Sequence, residues 1–229
     1  MSLITVSEVN NLSEEQFEWM FGNVIELCTE AAGRVKTKRP FASVDELCEA
    51  FAKYLDEISE NEKLVVLKLH PDLAGRLAAR GELTPSRPLS SARRGLTASR
   101  RSRSRSLQKR QVCFTYTCSV HLKLHPDVAC RLAARGELTP ELTAEQRAAG
   151  VDRLSAEQVS LIGYRNEKYK AKFGFPFIIC ARENKVDSII DGLQKRYTNT
   201  RAQEILTGIE EVKKICKLRI LDIVKQELI

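Results

Sequence analysis

A nineteen-residue stretch occurs twice in this chain with only two differences: LKLHPDLAGRLAARGELTP at 67–85 and LKLHPDVACRLAARGELTP at 122–140. Repetition constrains a fold strongly, because a solenoid stacks each unit on its neighbours through a shared core and needs at least three of them. Two copies separated by unlike sequence do not meet that requirement. Near-identity that stops abruptly at both ends reads instead as a local duplication, so the expected architecture is one ordinary domain carrying an insertion. The copies set His70 and His125 at equivalent positions, 55 residues apart; the third histidine, His121, lies just before the second copy.

Composition matters mainly for where the charge sits. The chain has 229 residues, 43% of them hydrophobic, enough to bury a substantial core. Its formal charge is +7, yet residues 86–121 alone hold nine basic side chains and no acid, so the rest of the chain is slightly acidic. The basicity is local and does not describe a nucleic-acid-binding surface of the whole protein. Residues 86–110 are dominated by Ser and Arg and are expected to be disordered, since they cannot bury enough apolar surface to offset ordering. Residues 111–120 have the β-branched and aromatic content of a strand without an evident partner.

Seven scattered cysteines and a polar N-terminus without a secretory pattern predict reduced, mostly buried thiols in an intracellular protein. No run has the length of a membrane span, and the C-terminus is not a Ser-Lys-Leu address.

Helical signals dominate the chain on both sides of the insert. Ser13 with Gln16 forms a capping box before Phe17, Met20, Phe21, Val24, Ile25 and Cys28, which share one helical face up to a stop at Gly33. Ser43 with Glu46 opens a second helix through Val44, Leu47, Cys48, Phe51, Leu55 and Ile58. A short third helix, 63–69, is expected to end at His70 because Pro71 disfavours helix at the residue before it. Thr139 and Pro140 suit a helix start, and Ser155 with Gln158 caps a further helix. FGFPFIICA at 173–181 is predicted to be a buried extended segment, followed by helices near 185–198 and 201–226. The predicted class is all-α: a single helical domain formed by 1–85 and 122–229, interrupted by an insertion at 86–121.

Three constellations carry chemical potential. His125-Pro126-Asp127, followed twenty positions later by Glu145-Gln146, and Arg219 on an otherwise apolar helical face, supply the groups needed to hold and protonate an anionic, urea-like molecule. Solvated helix residues and a capping arginine account for the same spacing, and spacing alone favours that reading. Cys113, Cys118, His121 and His125 do not form a zinc finger, which needs about twelve residues between its pairs, whereas two separate Cys118 from His121. The Arg/Ser run offers charge for RNA or for phosphorylation, but no RNA-binding module accompanies it.

The HPDLAG segment, the Glu-Gln pair opening a helix, FGFPFIICA, the C-terminal Leu218-Arg219-Ile220 and the stretch Pro40-Phe41-Ala42-Ser43-Val44 together resemble the 2-oxo-4-hydroxy-4-carboxy-5-ureidoimidazoline (OHCU) decarboxylases of urate degradation. The resemblance covers 1–85 and 122–229, and removing one 55-residue period leaves 174 residues, a length that suits one domain of that family. It implies an all-helical, cofactor-free homodimer, peroxisomal in animals and otherwise cytoplasmic, with a small ureidoimidazoline as substrate and neither membrane nor nucleic acid as partner. It implies loss of carbon dioxide and protonation on one face to give (S)-allantoin. The HPD histidine would handle that proton, the adjacent Pro126 or Pro71 would shape the pocket, and Glu145 would act beside it. Leu142, Thr143, Ala144 and Gln146 would line the substrate, with the backbone of Phe177, Ile178, Ile179, Cys180 and Ala181, and Arg219 would hold the anion.

Two departures from the family pattern stand out: Leu142 replaces a common Ser, and the second copy has Cys130 where the first keeps Gly75. His70 retains its link to the N-terminal helices and the intact HPDLAG. His125 retains the short tether to Glu145, and local geometry makes it the expected catalytic copy, with His70 the alternative. The rival reading from another class is a catalytically impaired helical protein whose Arg/Ser segment binds RNA or a partner.

Overall fold

The computed structural model describes residues 3–70 and 154–226, and the fold is all-helical over both parts. Among the described residues the β contribution is one isolated parallel bridge, Ile4 to Val224, in which Ile4 N donates to Ile223 O at 3.0 Å and Lys225 N to Ile4 O at 2.8 Å. The insertion 86–121, the expected helix start at Thr139–Pro140 and the strand-like 111–120 lie outside the described residues.

Caps set most of the helix starts. Helix α1 (Val6–Asn11) opens on a Thr5/Glu8 capping box and α2 (Glu14–Phe21) on Ser13/Gln16. The predicted single helix from Ser13 to Gly33 is in fact two. It stops at Gly22, and Asn23 Oδ1 then accepts Leu27 N at 3.1 Å, drawing the backbone into a loop before α3 (Thr29–Val35). Val24 and Ile25 stay buried, so the apolar periodicity reported burial correctly and continuity wrongly.

A cis Arg39–Pro40 bond precedes α4 (Val44–Glu57), which buries Val44, Leu47, Cys48, Phe51 and Leu55. Helix α5 runs Glu60–Leu69, starting earlier than expected because Ser59 and Glu62 form a capping box. It ends where Pro71 dictates, with His70 as an extended C-cap at φ −70°, ψ 128°.

Helix α6 (Ala156–Phe173) opens on the Ser155/Gln158 box and stops at Gly174, whose φ of 84° is the left-handed conformation that glycine tolerates. The following residues up to Cys180 lie outside any helix, Cys180 itself being extended, and Phe175, Phe177, Ile178 and Cys180 are buried. Helices α7 (Val186–Arg196) and α8 (Arg201–Leu221) complete the described fold.

Helix α8 is the frame. It packs against α4, α5 and α6, while α7 lies on α6 and α3 bridges α2 and α4. Ile205, Ile209, Val212, Ile215, Cys216 and Ile220 face inward, and α8 also buries Glu204, Glu211 and Arg219. Rings fill the core in two groups: Phe17 and Phe21 stand 4.6 Å apart, and Tyr169 meets Phe173 at 4.6 Å and Phe177 at 5.3 Å.

Helices α5 and α8 cross closely at Gly208. A Cβ added there would lie 2.9 Å from Leu67 Cδ2, and Leu67 is fully buried one turn before His70. Gly208→Ala sets overpacking of about 1–3 kcal/mol against about 1 kcal/mol of gained helix propensity, so a net loss of up to about 2 kcal/mol is expected, read as a shift in the urea midpoint at unchanged m-value.

Candidate active site

The HPD segment delivers one described histidine. His70 is buried at the end of α5, and its Nδ1 lies 3.0 Å from the carbonyl of Val66. A carbonyl only accepts, so Nδ1 carries the hydrogen, and proton exchange falls to Nε2. The position is fixed from three sides: the capping box at the start of α5, the Leu67 contact with Gly208, and Pro71 immediately after.

Arg219 is the second component. It lies eleven residues beyond Gly208, which at 3.6 residues per turn brings it back to within about 20° of the same stripe of α8, the stripe against which α5 packs. Its guanidinium is buried: Nη1 donates to the carbonyl of Asn23 at 2.8 Å, and Nη2 pairs with Glu26 Oε2 at 2.8 Å. Both partners come from the loop between α2 and α3.

The 177–181 segment is the third component, and its backbone is anchored at four points. Phe177 N donates to Asn166 Oδ1 at 3.0 Å, and Cys180 N to Glu211 Oε2 at 2.7 Å. The Ile178 carbonyl accepts from Arg196 Nη1 at 2.7 Å, and that of Cys180 from Asn184 Nδ2 at 2.9 Å. Phe177, Ile178, Cys180 and Ala181 are buried, whereas Ile179 is partly exposed. Arg196 is held in turn by Glu204, which accepts from its Nε at 2.8 Å and also takes the Tyr169 hydroxyl. Burial pushes the Tyr169 hydroxyl far above the usual tyrosine range, so it stays a donor.

The end of α5, Arg219 and the 177–181 backbone are thus all built onto α8, two by packing or sequence and the third through Glu211. Glu145, Gln146, Leu142, Thr143, Ala144, His125, Pro126 and Pro71 lie outside the described residues. Sequence reasoning missed Glu26, Glu211, Arg196 and Asn166. The available signal was an acid within an apolar run, Val24-Ile25-Glu26-Leu27, and charges at 204, 211 and 219 on an otherwise apolar helical face.

Three of the described thiols are poor nucleophiles. Desolvation raises Cys28 and Cys216 above the usual range and Cys48 to about 11, so all three stay protonated at neutral pH. Among the described residues no three His, Cys, Asp or Glu side chains gather as a metal ion would require, and no helix is long and apolar enough to cross a membrane.

The chain belongs to the OHCU decarboxylase family, whose model matches it twice in succession, at residues 10–112 and 115–221. The first match contains the first HPD copy and the second match the other. The chain is similar to the OHCU decarboxylase of Xenopus laevis, with 32% identity over 97% of this chain and 95% of that protein. It resembles that of Amia calva at 33% identity over 95% and 93%. In fold it is similar to a crystal structure of OHCU decarboxylase obtained in the presence of (S)-allantoin, at TM-score 0.52 and 19% identity over 92% and 97% of the two chains. A crystal structure of (S)-allantoin synthase gives TM-score 0.56 at 17% identity; there this chain is 97% covered and spans 54% of the other. At these identities the two structures speak to fold alone.

Proposed function

We propose that this protein decarboxylates OHCU to (S)-allantoin, with the histidine at the end of α5 handling the proton. The observation that carries the reading is the buried, tautomer-fixed His70 of the intact HPDLAG segment, in a chain alignable over nearly its whole length with OHCU decarboxylases.

In this mechanism the bond between the ring carbon and its carboxylate breaks. The electron pair passes into the neighbouring unsaturated ring as carbon dioxide leaves, and a proton is then delivered to one face of that carbon. Delocalisation into the ring makes the departing charge tolerable, so the protein's work is orientation and protonation. His70 Nε2 exchanges the proton. Arg219 holds the anionic substrate, and the 177–181 backbone, fixed by Glu211, Asn166, Arg196 and Asn184, forms a rigid wall. Glu145 and Gln146, with Leu142, Thr143 and Ala144 beside them, bind the ureido and ring polar atoms, and Pro71 shapes the pocket. Homodimer formation and residence in peroxisomes belong to the same reading and rest on family resemblance.

Deleting residues 68–122 tests how the duplication relates to the function. The junction Leu67-Lys123-Leu124-His125 recreates the end of α5 with a single HPD copy. With urate, urate oxidase and hydroxyisourate hydrolase supplying substrate, both the full and the shortened chain are expected to accelerate (S)-allantoin formation. Activity in neither would overturn the decarboxylase reading.

A further inference from the structure

The loop between α2 and α3 does more than connect them. Its Asn23 carbonyl and Glu26 carboxylate each engage one nitrogen of the Arg219 fork, and the Glu26 side chain is fully buried at 0% exposure against 3% for Arg219. Leu27 has φ 53°, the one left-handed non-glycine residue among those described. A leucine enters that region at a cost and stays there only where its surroundings over-determine it. Here the turn is closed by Leu27 N donating to Asn23 Oδ1 at 3.1 Å, and its result is that Glu26 points inward at a helix 193 residues further along the chain.

Burying a full carboxylate is costly, and a neutral residue would fill the space more cheaply. The pairing has a consequence for a decarboxylase. A substrate carboxylate leaves as a neutral molecule while its charge moves into the ring. An uncompensated guanidinium at that place would stabilise the bound ground state more than the transition state, and tighter ground-state binding does not accelerate the step.

We propose that Glu26 is a positioning residue for Arg219. It fixes the guanidinium and offsets its charge, so that the site grips the anionic substrate loosely enough for the carboxylate to depart. This rests on the proposed reading that Arg219 holds the substrate.

The test uses the full chain and its Glu26→Gln variant, titrated calorimetrically with ureidoacetate as a stable ureido-carboxylate probe and assayed for (S)-allantoin formation. The expected result for Glu26→Gln is about tenfold tighter ureidoacetate binding, a lower KM and a kcat reduced about tenfold. A role confined to stability would leave KM and probe affinity unchanged, and that result overturns the proposal. Should Glu26→Gln not fold, Glu26→Asp keeps the charge but withdraws it by one methylene. KM and kcat are then expected to move in the same direction to a smaller extent, and values equal to the parent's overturn the proposal. A parent chain that accelerates (S)-allantoin formation, with an unchanged Glu26 variant, refutes this inference alone. A parent that neither accelerates the reaction nor binds ureidoacetate refutes the decarboxylase reading and the inference with it.

Discussion

Replacing His70 by Ala is expected to lower the rate of (S)-allantoin formation by about 10²–10⁴-fold, the usual weight of a positioned general acid or base. His125→Ala is expected to leave the rate close to that of the parent. The sequence offers an argument for each copy, and magnitudes separate them. His125 has the shorter tether to Glu145, twenty residues against 75 for His70. Loop-closure entropy grows only with the logarithm of length, so that advantage amounts to about 1.2 kcal/mol. Against it stands the packing of α5. Val66 and Leu67 are buried, Leu67 meets Gly208 on α8, the Ser59/Glu62 box closes the helix start, and His70 is buried with Nδ1 bound to Val66. Burying one such aliphatic side chain already contributes about 1.5–3 kcal/mol, more than the tether term. Loss of activity in His125→Ala alone would return the role to the second copy.

Arg219→Ala is expected to cost about 3–5 kcal/mol of folding stability in addition to activity, because it leaves the Glu26 carboxylate buried beside no cation. The companion variant Glu26→Met/Arg219→Met removes both charges and fills the space with flexible apolar side chains. Its urea midpoint is expected to recover most of the loss while its activity does not return. Equal destabilisation by the single and the double variant would show that Arg219 contributes packing rather than charge compensation. The comparison separates what this pair does for the fold from what Arg219 does for the substrate.

Much of this architecture is local and was legible for that reason. Ser13, Ser43 and Ser155 cap helices through backbone bonds three residues away. Proline after His70 disfavours helix at that residue, where α5 ends, and the apolar run at 173–181 is largely buried, its middle part between α6 and Ala181 lying outside any helix. The helix expected to run from Ser13 to Gly33 failed at a competition that periodicity does not register. Asn23 bonds its side chain to a backbone amide four residues on, and the loop buries the same apolar residues that a continuous helix would have. Among site residues, the place of His70 at the end of α5 was legible because proline follows it, although the sequence argument preferred His125 as the catalytic copy. Glu26 and Glu211 were not, because each acts on a partner far away in sequence, Arg219 and Cys180 N respectively. A buried acid looks like a solvated one until its partner is known.

The folded chain is expected to direct decarboxylation to one enantiomer. This is tested most directly by following circular dichroism of allantoin while urate oxidase and hydroxyisourate hydrolase supply OHCU from urate to the full chain. Rapid accumulation of (S)-allantoin is expected, faster than in the same mixture without the protein. Product that appears at the uncatalysed rate and carries no chirality from the protein would contradict it.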